Sequence, residues 1–313
     1  MTADGELNAM DLRERIRELC RQRDAIILAH TYQPGEIQDL ADFVGDSYGL
    51  SRKAAGVQAA VIVFCGVRFM AETAAILNPL RTVLLPAADA GCPMADMISA
   101  EQLRELKAQH PGAPVVCYVN TTAAVKAEST VCCTSSNAVK IVQSLGECPE
   151  ILFVPDQYLG RFVERKLGRK LVLWEGFCPT HALLRQETVR RLRAEHPEAE
   201  LMVHPECLPE VQDLAEHVLS TGQMCELVKT TACRRFLVGT EVGIVHTLRK
   251  LAPHIEFTHV TPFLRCPNMK KITLEKIVRC LETQEPRVTV PADVAAAARQ
   301  AIERMLEVAG AGG

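Results

Sequence analysis

The chain has 313 residues, 48% hydrophobic and 23% charged, the balance expected of a water-soluble globular fold with one large domain or a few small ones. A formal net charge of −3 leaves no basic field for nucleic acid or an anionic membrane surface, and apolar runs such as AAVIVFC are too short to span a bilayer. The polar N-terminal stretch MTADGELNAMDLRERIREL lacks the apolar core of a signal peptide, so a cytoplasmic protein is expected.

Leu12, Ile16 and Leu19 give an opening helix one apolar stripe. Short apolar, β-branched runs bounded by turn residues then alternate with helical segments, a pattern that predicts βαβ units and parallel sheets. Strands are expected at 25–29, 61–65 and 82–85, at 115–118, 151–154 and 171–174, and at 201–203, 236–238 and 256–260. Segments 272–283 and 292–308 read as helices that pack back on the first unit, and the tail 310–313 is expected to fray.

The nine strands fall into three similar sets. Each set opens with a strand running into a polar signature: AHTYQP at 29–34, CYVNTT at 117–122 and MVHPEC at 202–207. A hydroxyl-bearing helix start follows, and the separations His30 to Ser47, Tyr118 to Ser135 and His204 to Thr221 are all 17 residues. Each set closes with a strand and then Cys-Pro, at Cys92, Cys178 and Cys266, which lie 86 and 88 residues apart. Cys148-Pro149 is a fourth such dipeptide that breaks the register, so the periodicity rather than the dipeptide carries the signal. The expected fold is α/β: three homologous three-layer αβα units with short parallel sheets around a pseudo-threefold axis. The expected boundaries are 1–96 (with helices 270–309 packed on it), 97–180 and 181–269.

Ligands of open parallel sheets bind beyond the carboxyl ends of the strands, where all three signatures and all three Cys-Pro turns lie. Thirteen cysteines without a signal sequence point to buried residues, metal ligands or reactive thiols rather than a disulfide framework. Cys20, Cys65, Cys117 and Cys280 read as structural, while the adjacent pair Cys132-Cys133 leaves a minor redox reading open. Cys92, Cys178 and Cys266 supply three thiolates, one short of a closed set around zinc or a cubane cluster, which is the mark of a catalytic metal. Proline after each cysteine restricts it to extended conformations. Ser47, Ser135 and Thr221 at helix starts suit phosphate or carboxylate groups, although plain capping explains any one of them. His30, Tyr32, His204 and Glu206 supply proton-transfer groups, and Tyr118 and Asn120 a phenol and an amide. His204 and Glu206 could also form a metal-binding pair. No GxGxxG or GxxxxGK motif points to a nucleotide.

With these residues in view, the chain resembles the quinolinate synthase family, which builds the pyridine ring for bacterial and archaeal NAD synthesis. The resemblance runs from about residue 24 to about 271 and rests on AHTYQPGEIQDLADFVGDS, ADAGCPMADM, VVCYVNTTAAVKAESTVCCTSSNA, EGFCPTH, MVHPEC, STGQM, VGTEVGIVH and CPNMKK. It implies a transferase that condenses iminoaspartate (iminosuccinate) with dihydroxyacetone phosphate to quinolinate, with loss of phosphate and water. It also implies one 4Fe–4S cluster per chain on Cys92, Cys178 and Cys266, its fourth iron open as a Lewis acid. His30, Ser47, Tyr118, Val119, Asn120, Ser135, His204, Pro205, Glu206 and Thr221 would bind substrate carboxylates and phosphate. Tyr32 and Glu206 would be the acid/base pair, assisted by His204. L-aspartate oxidase, which makes the unstable imine, is the implied supply partner. Some family members carry Cys-x-x-Cys near the third ligand; RCPNMKK has no second cysteine, so thiol regulation there is not expected. Two other readings fit the residues alone: a cluster-dependent hydro-lyase acting on a hydroxy acid, and a non-enzymatic redox sensor or Cys₃ zinc protein.

Overall fold

A computed structural model describes residues 3–310, with side chains from residue 11; residues 311–313 of the tail expected to fray lie outside the described residues. The chain begins with α1 (Ala3–Arg23), then lays down β1 (Ala25–His30), α2 (Gly35–Leu40), β2 (Phe43–Gly45), α3 (Ser47–Ala55), β3 (Val61–Cys65), α4 (Arg68–Leu77) and β4 (Thr82–Leu84). A second series follows: α5 (Ala100–Gln109), β5 (Val115–Tyr118), α6 (Ala123–Ala127), β6 (Val131–Cys133), α7 (Ala138–Ser144), β7 (Leu152–Val154), α8 (Gln157–Leu167) and β8 (Val172–Leu173). The third is α9 (Gln186–Glu195), β9 (Glu200–Val203), α10 (Pro209–Gln212), β10 (His217–Val218), α11 (Thr221–Thr230), β11 (Arg235–Gly239), α12 (Ile244–Leu251) and β12 (Glu256–His259). Two helices close the chain, α13 (Leu274–Thr283) and α14 (Ala292–Gly310).

The strands form three parallel four-stranded sheets with one shared order: β2-β1-β3-β4, β6-β5-β7-β8 and β10-β9-β11-β12. Helices flank each sheet, giving three αβα units as expected. The central strands VIVFC, LFV and FLVG are unbroken apolar runs because helices cover both faces of a parallel sheet. Each sheet has a fourth strand that the alternation pattern does not show: β2, β6 and β10 are only two or three residues long, too short to express a period.

The first sheet and α13 belong to one compact unit, residues 1–92 and 267–291, and the other two sheets to a second, residues 93–266 and 292–313. In the first unit, α13 buries Leu274, Ile277, Cys280 and Leu281, a stripe at helical spacing, and packs against α1. The helix expected to accompany it does not. α14 packs instead against α6, β6 and α7 of the second sheet through Ala298, Ala301, Ile302 and Met305. Its alanine-rich face suits close approach to any helix, so composition alone does not select the partner.

Candidate functional site

The three sheets position their Cys-Pro turns by the same main-chain bond. Just past each central strand, a backbone N–H donates to the carbonyl two residues before the cysteine. The pairs are Arg68 to Ala90 (2.8 Å), Gln157 to Gly176 (2.9 Å) and Val242 to Leu264 (2.9 Å). Cys92, Cys178 and Cys266 therefore occupy equivalent places relative to their own sheets, all half-buried. Gly176 is required at its position, because a β-carbon there would collide with the Pro155 carbonyl oxygen. No disulfide is present among the described residues.

The strand-end signatures repeat as closely. The His30 and His204 rings each turn back so that Nδ1 accepts a backbone N–H two residues on, from Tyr32 at 3.1 Å and from Glu206 at 3.3 Å. Eight residues after each histidine, a buried glutamine ties the turn. Gln38 donates to the carbonyls of Thr31 and Gln33, and Gln212 to those of Pro205 and Cys207. In the second sheet the position eight residues after Tyr118 is Lys126, fully buried, whose Nζ donates to the Thr121 carbonyl at 2.5 Å. The lysine does there what glutamine does in the other two.

Within the second unit, these turns build a buried network on Glu206. Its Oε1 accepts the Tyr118 hydroxyl at 2.5 Å and the Asn120 amide at 3.5 Å. Its Oε2 lies 2.7 Å from Nδ1 of His181. That ring nitrogen is also 3.2 Å from Cys178 Sγ, and Nε2 bonds the Thr240 hydroxyl at 2.8 Å. His181 stacks on His204 with centroids 4.8 Å apart, and His204 Nε2 bonds Ser135 Oγ at 3.1 Å. Tyr118, His181, His204 and Glu206 are each at most 4% exposed. Cys178, His181 and Glu206 also bring three potential metal-ligating atoms within 4.8 Å of one another.

Burial lowers the His204 pKa to about 3, and the neighbouring His181 adds to this while Glu206 opposes it. The ring is neutral at physiological pH. Because Nδ1 accepts the Glu206 amide, the proton sits on Nε2, which donates to Ser135. For Glu206, burial opposes ionisation, but His204 and His181, with hydrogen bonds from His181 and Tyr118, outweigh it and hold the carboxyl below its usual range. Asp156, fully buried beyond β7, is pushed well above its usual range by burial and then by the charge of Glu206, while backbone N–H groups of Leu159, Tyr158 and Cys178 pull the other way. Cys132 and Cys133 are fully buried with thiols held well above their ordinary value, the first mainly by its bond to Cys117 and the second by burial. Raised, inaccessible thiols do not suit redox exchange. Cys65 and Cys280 are likewise buried with raised thiols. At the buried Cys117, burial raises the thiol, but the bond to Cys132 and the charge of Lys126 outweigh it and bring its pKa down to about 7.

Of the residues singled out in the sequence, the second unit brings together Tyr118, Asn120, Ser135, His204, Glu206 and Cys178. Val119 and Pro205 contribute main chain: Val119 N–H bonds Cys133 O at 2.9 Å, and Pro205 O accepts Gln212. Thr221 opens α11 as expected, but the cap is the preceding Ser220, whose hydroxyl accepts from Gln223 in a reciprocal capping box. Ser47 likewise opens α3 behind a capping Asp46. Ser135 is not a helix start: α7 begins three residues later, and Ser135 stays in the loop after β6, where it meets His204. The His204 ring turns back onto the Glu206 amide, and its Nδ1 lies 3.8 Å from Glu206 Oε2. In the first unit, His30 and Tyr32 are buried and packed edge to face at 4.6 Å, and Lys270 Nζ donates to the Tyr32 carbonyl. His181, Asp156, Thr240 and Glu241 were not anticipated. The histidine three residues after Cys178 in CPTH was the available sign, and none marks the other three without the repeat in register.

Parallel αβα units that set a thiol, two imidazoles and a glutamate together beyond the strand ends mark an α/β protein whose site is chemically suited to proton transfer. The family model described as "Quinolinate synthetase A protein" matches residues 14–307. The quinolinate synthase of Dehalococcoides mccartyi strain CBDB1 is 55% identical over 294 residues, covering 94% of this chain and 97% of that protein. That of Geobacter metallireducens is 50% identical over 302 residues (96% and 99%), and that of Methanosarcina barkeri 51% over 298 residues (95% and 98%). The chain belongs to the quinolinate synthase family and serves NAD biosynthesis.

Proposed function

We propose that the chain condenses iminoaspartate with dihydroxyacetone phosphate, releasing phosphate and water, and that Glu206 is the proton-transfer centre of that reaction. The observation that carries this is the buried Glu206 carboxylate, held ionised between the Tyr118 hydroxyl and the His181 ring. Carbon–carbon bond formation requires a proton to leave carbon beside a carbonyl, and a desolvated carboxylate with a phenol at 2.5 Å can accept one and pass it on. His204, neutral and donating from Nε2, with Ser135, Asn120 and Thr221, offers neutral hydrogen-bond donors suited to substrate carboxylates. In the first unit, His30 and Ser47 take substrate-binding roles and Tyr32 partners Glu206 in acid/base steps.

Cys92, Cys178 and Cys266 hold a 4Fe–4S cluster. The residues fit the group: three half-buried thiols in repeat-equivalent turns. When bound, such a cluster supplies a Lewis acid for enolisation and dehydration. The reaction takes place in the cytoplasm, with L-aspartate oxidase supplying the unstable imine. Family membership disfavours the hydro-lyase and sensor readings. The test is quinolinate formation from the two substrates by anaerobically reconstituted protein. A reconstituted protein that turns over neither substrate would overturn the assignment.

A further inference from the structure

Two residues past each central strand, one before the N–H donor that ties the Cys-Pro turn, stand Val67, Asp156 and Glu241. Two of the three are carboxylates, and both are fully buried. Glu241 accepts the backbone N–H of Cys266 on Oε1 at 3.1 Å and that of Gly243, at the start of α12, on Oε2 at 2.7 Å. Asp156 caps α8 by accepting the Leu159 N–H on Oδ1 at 2.8 Å, and its Oδ2 has no hydrogen-bond partner among the described residues. Glu241 thus joins the helix that follows its central strand to the amide of a cysteine more than twenty residues away, whereas Asp156 bonds its own helix.

A buried carboxylate costs several kcal/mol to desolvate, and an N-cap alone can be made by serine or asparagine. For Glu241 the energetic cost is explained by what the second oxygen does. We propose that Glu241 is a positioning residue for Cys266, fixing the cysteine turn through its backbone amide. This rests on the reading of that cysteine as a cluster ligand. The first sheet has Val67 at this position and uses only the main-chain bond, so the carboxylate tie belongs to the third sheet.

The test compares wild-type, Glu241→Gln and Glu241→Ala proteins, reconstituted anaerobically as full chains, by iron release to a chelator and by the midpoint potential of the cluster. Far-UV circular dichroism identifies any variant that fails to fold, leaving the other to decide. The expected result is iron loss at least about tenfold faster in both variants, with a midpoint potential shifted as the Cys266 turn loosens. A purely structural role would lower the melting temperature and leave the potential unchanged. Native iron release and native potential in a folded variant would overturn the proposal while leaving the ligand assignment intact. A wild-type protein that binds no cluster, or a Cys266→Ser variant that keeps a full one, would overturn both.

Discussion

At the scale of single residues, Glu206 and His204 differ in their protonation. Glu206 is ionised and accepts from both sides; His204 is neutral and donates. Replacing Glu206 with Gln preserves shape and removes the proposed base, so quinolinate formation is expected to fall by about 10²–10⁴-fold, with iron content unchanged, as read by product absorbance and iron analysis. His204 also makes stability depend on pH. The unfolded chain protonates this ring near its ordinary value of 6.5, whereas the folded chain does so only near 3. Between those values the unfolded state binds more protons, so acid favours unfolding by up to about 1.4 kcal/mol per pH unit. His204→Gln is expected to flatten urea-unfolding stability measured from pH 6.5 down to 5; an unchanged slope would contradict the neutral assignment. Sequence reasoning reached these two residues because strand-end signatures put them there. It missed His181, whose role depends on a stack against His204 that no spacing encodes.

At the scale of elements, the repeat explains a residue that would otherwise look costly. Lys126 is buried, and its ammonium performs a donor's task, the one performed by Gln38 and Gln212. Lys126→Gln is therefore expected to be tolerated within about 1 kcal/mol, whereas Lys126→Leu strands the Thr121 carbonyl and costs about 1–3 kcal/mol; chemical denaturation of both variants separates the two. Equal losses would mean that the ammonium matters for its charge. Long apolar strands were legible because burial on both faces leaves an unbroken β-branched run. The short edge strands β2, β6 and β10 were not, since pairing to a neighbour rather than any periodic pattern makes them strands. Ser135 was placed on a helix by its register with Ser47 and Thr221, but Asn137 takes up the Thr134 amide at 2.7 Å and delays the helix.

At the scale of the molecule, the three cysteines are expected to act as one set. Anaerobically purified protein should hold about four iron and four sulfide per chain, and Cys178→Ser should abolish both; full cluster content in that variant would remove Cys178 from the set. The number of αβα units was readable because the separations recur, and the partner of α14 was not, because an alanine-rich face is equally suited to several neighbours. The chain passes from one compact unit to the other at Cys92-Pro93 and again at Cys266-Pro267. The bonds Arg68 to Ala90, Gln157 to Gly176 and Val242 to Leu264 involve no side chain at all. A contact made only of peptide groups tolerates most substitutions, Gly176 being an exception because a β-carbon there would meet the Pro155 carbonyl. After an ancestral unit was copied, each descendant could therefore exchange many neighbouring residues and still inherit the location of its thiol. Ancestry is recorded here in the course of the backbone, and for that reason Val67, Asp156 and Glu241 could diverge in chemistry while standing in one and the same place.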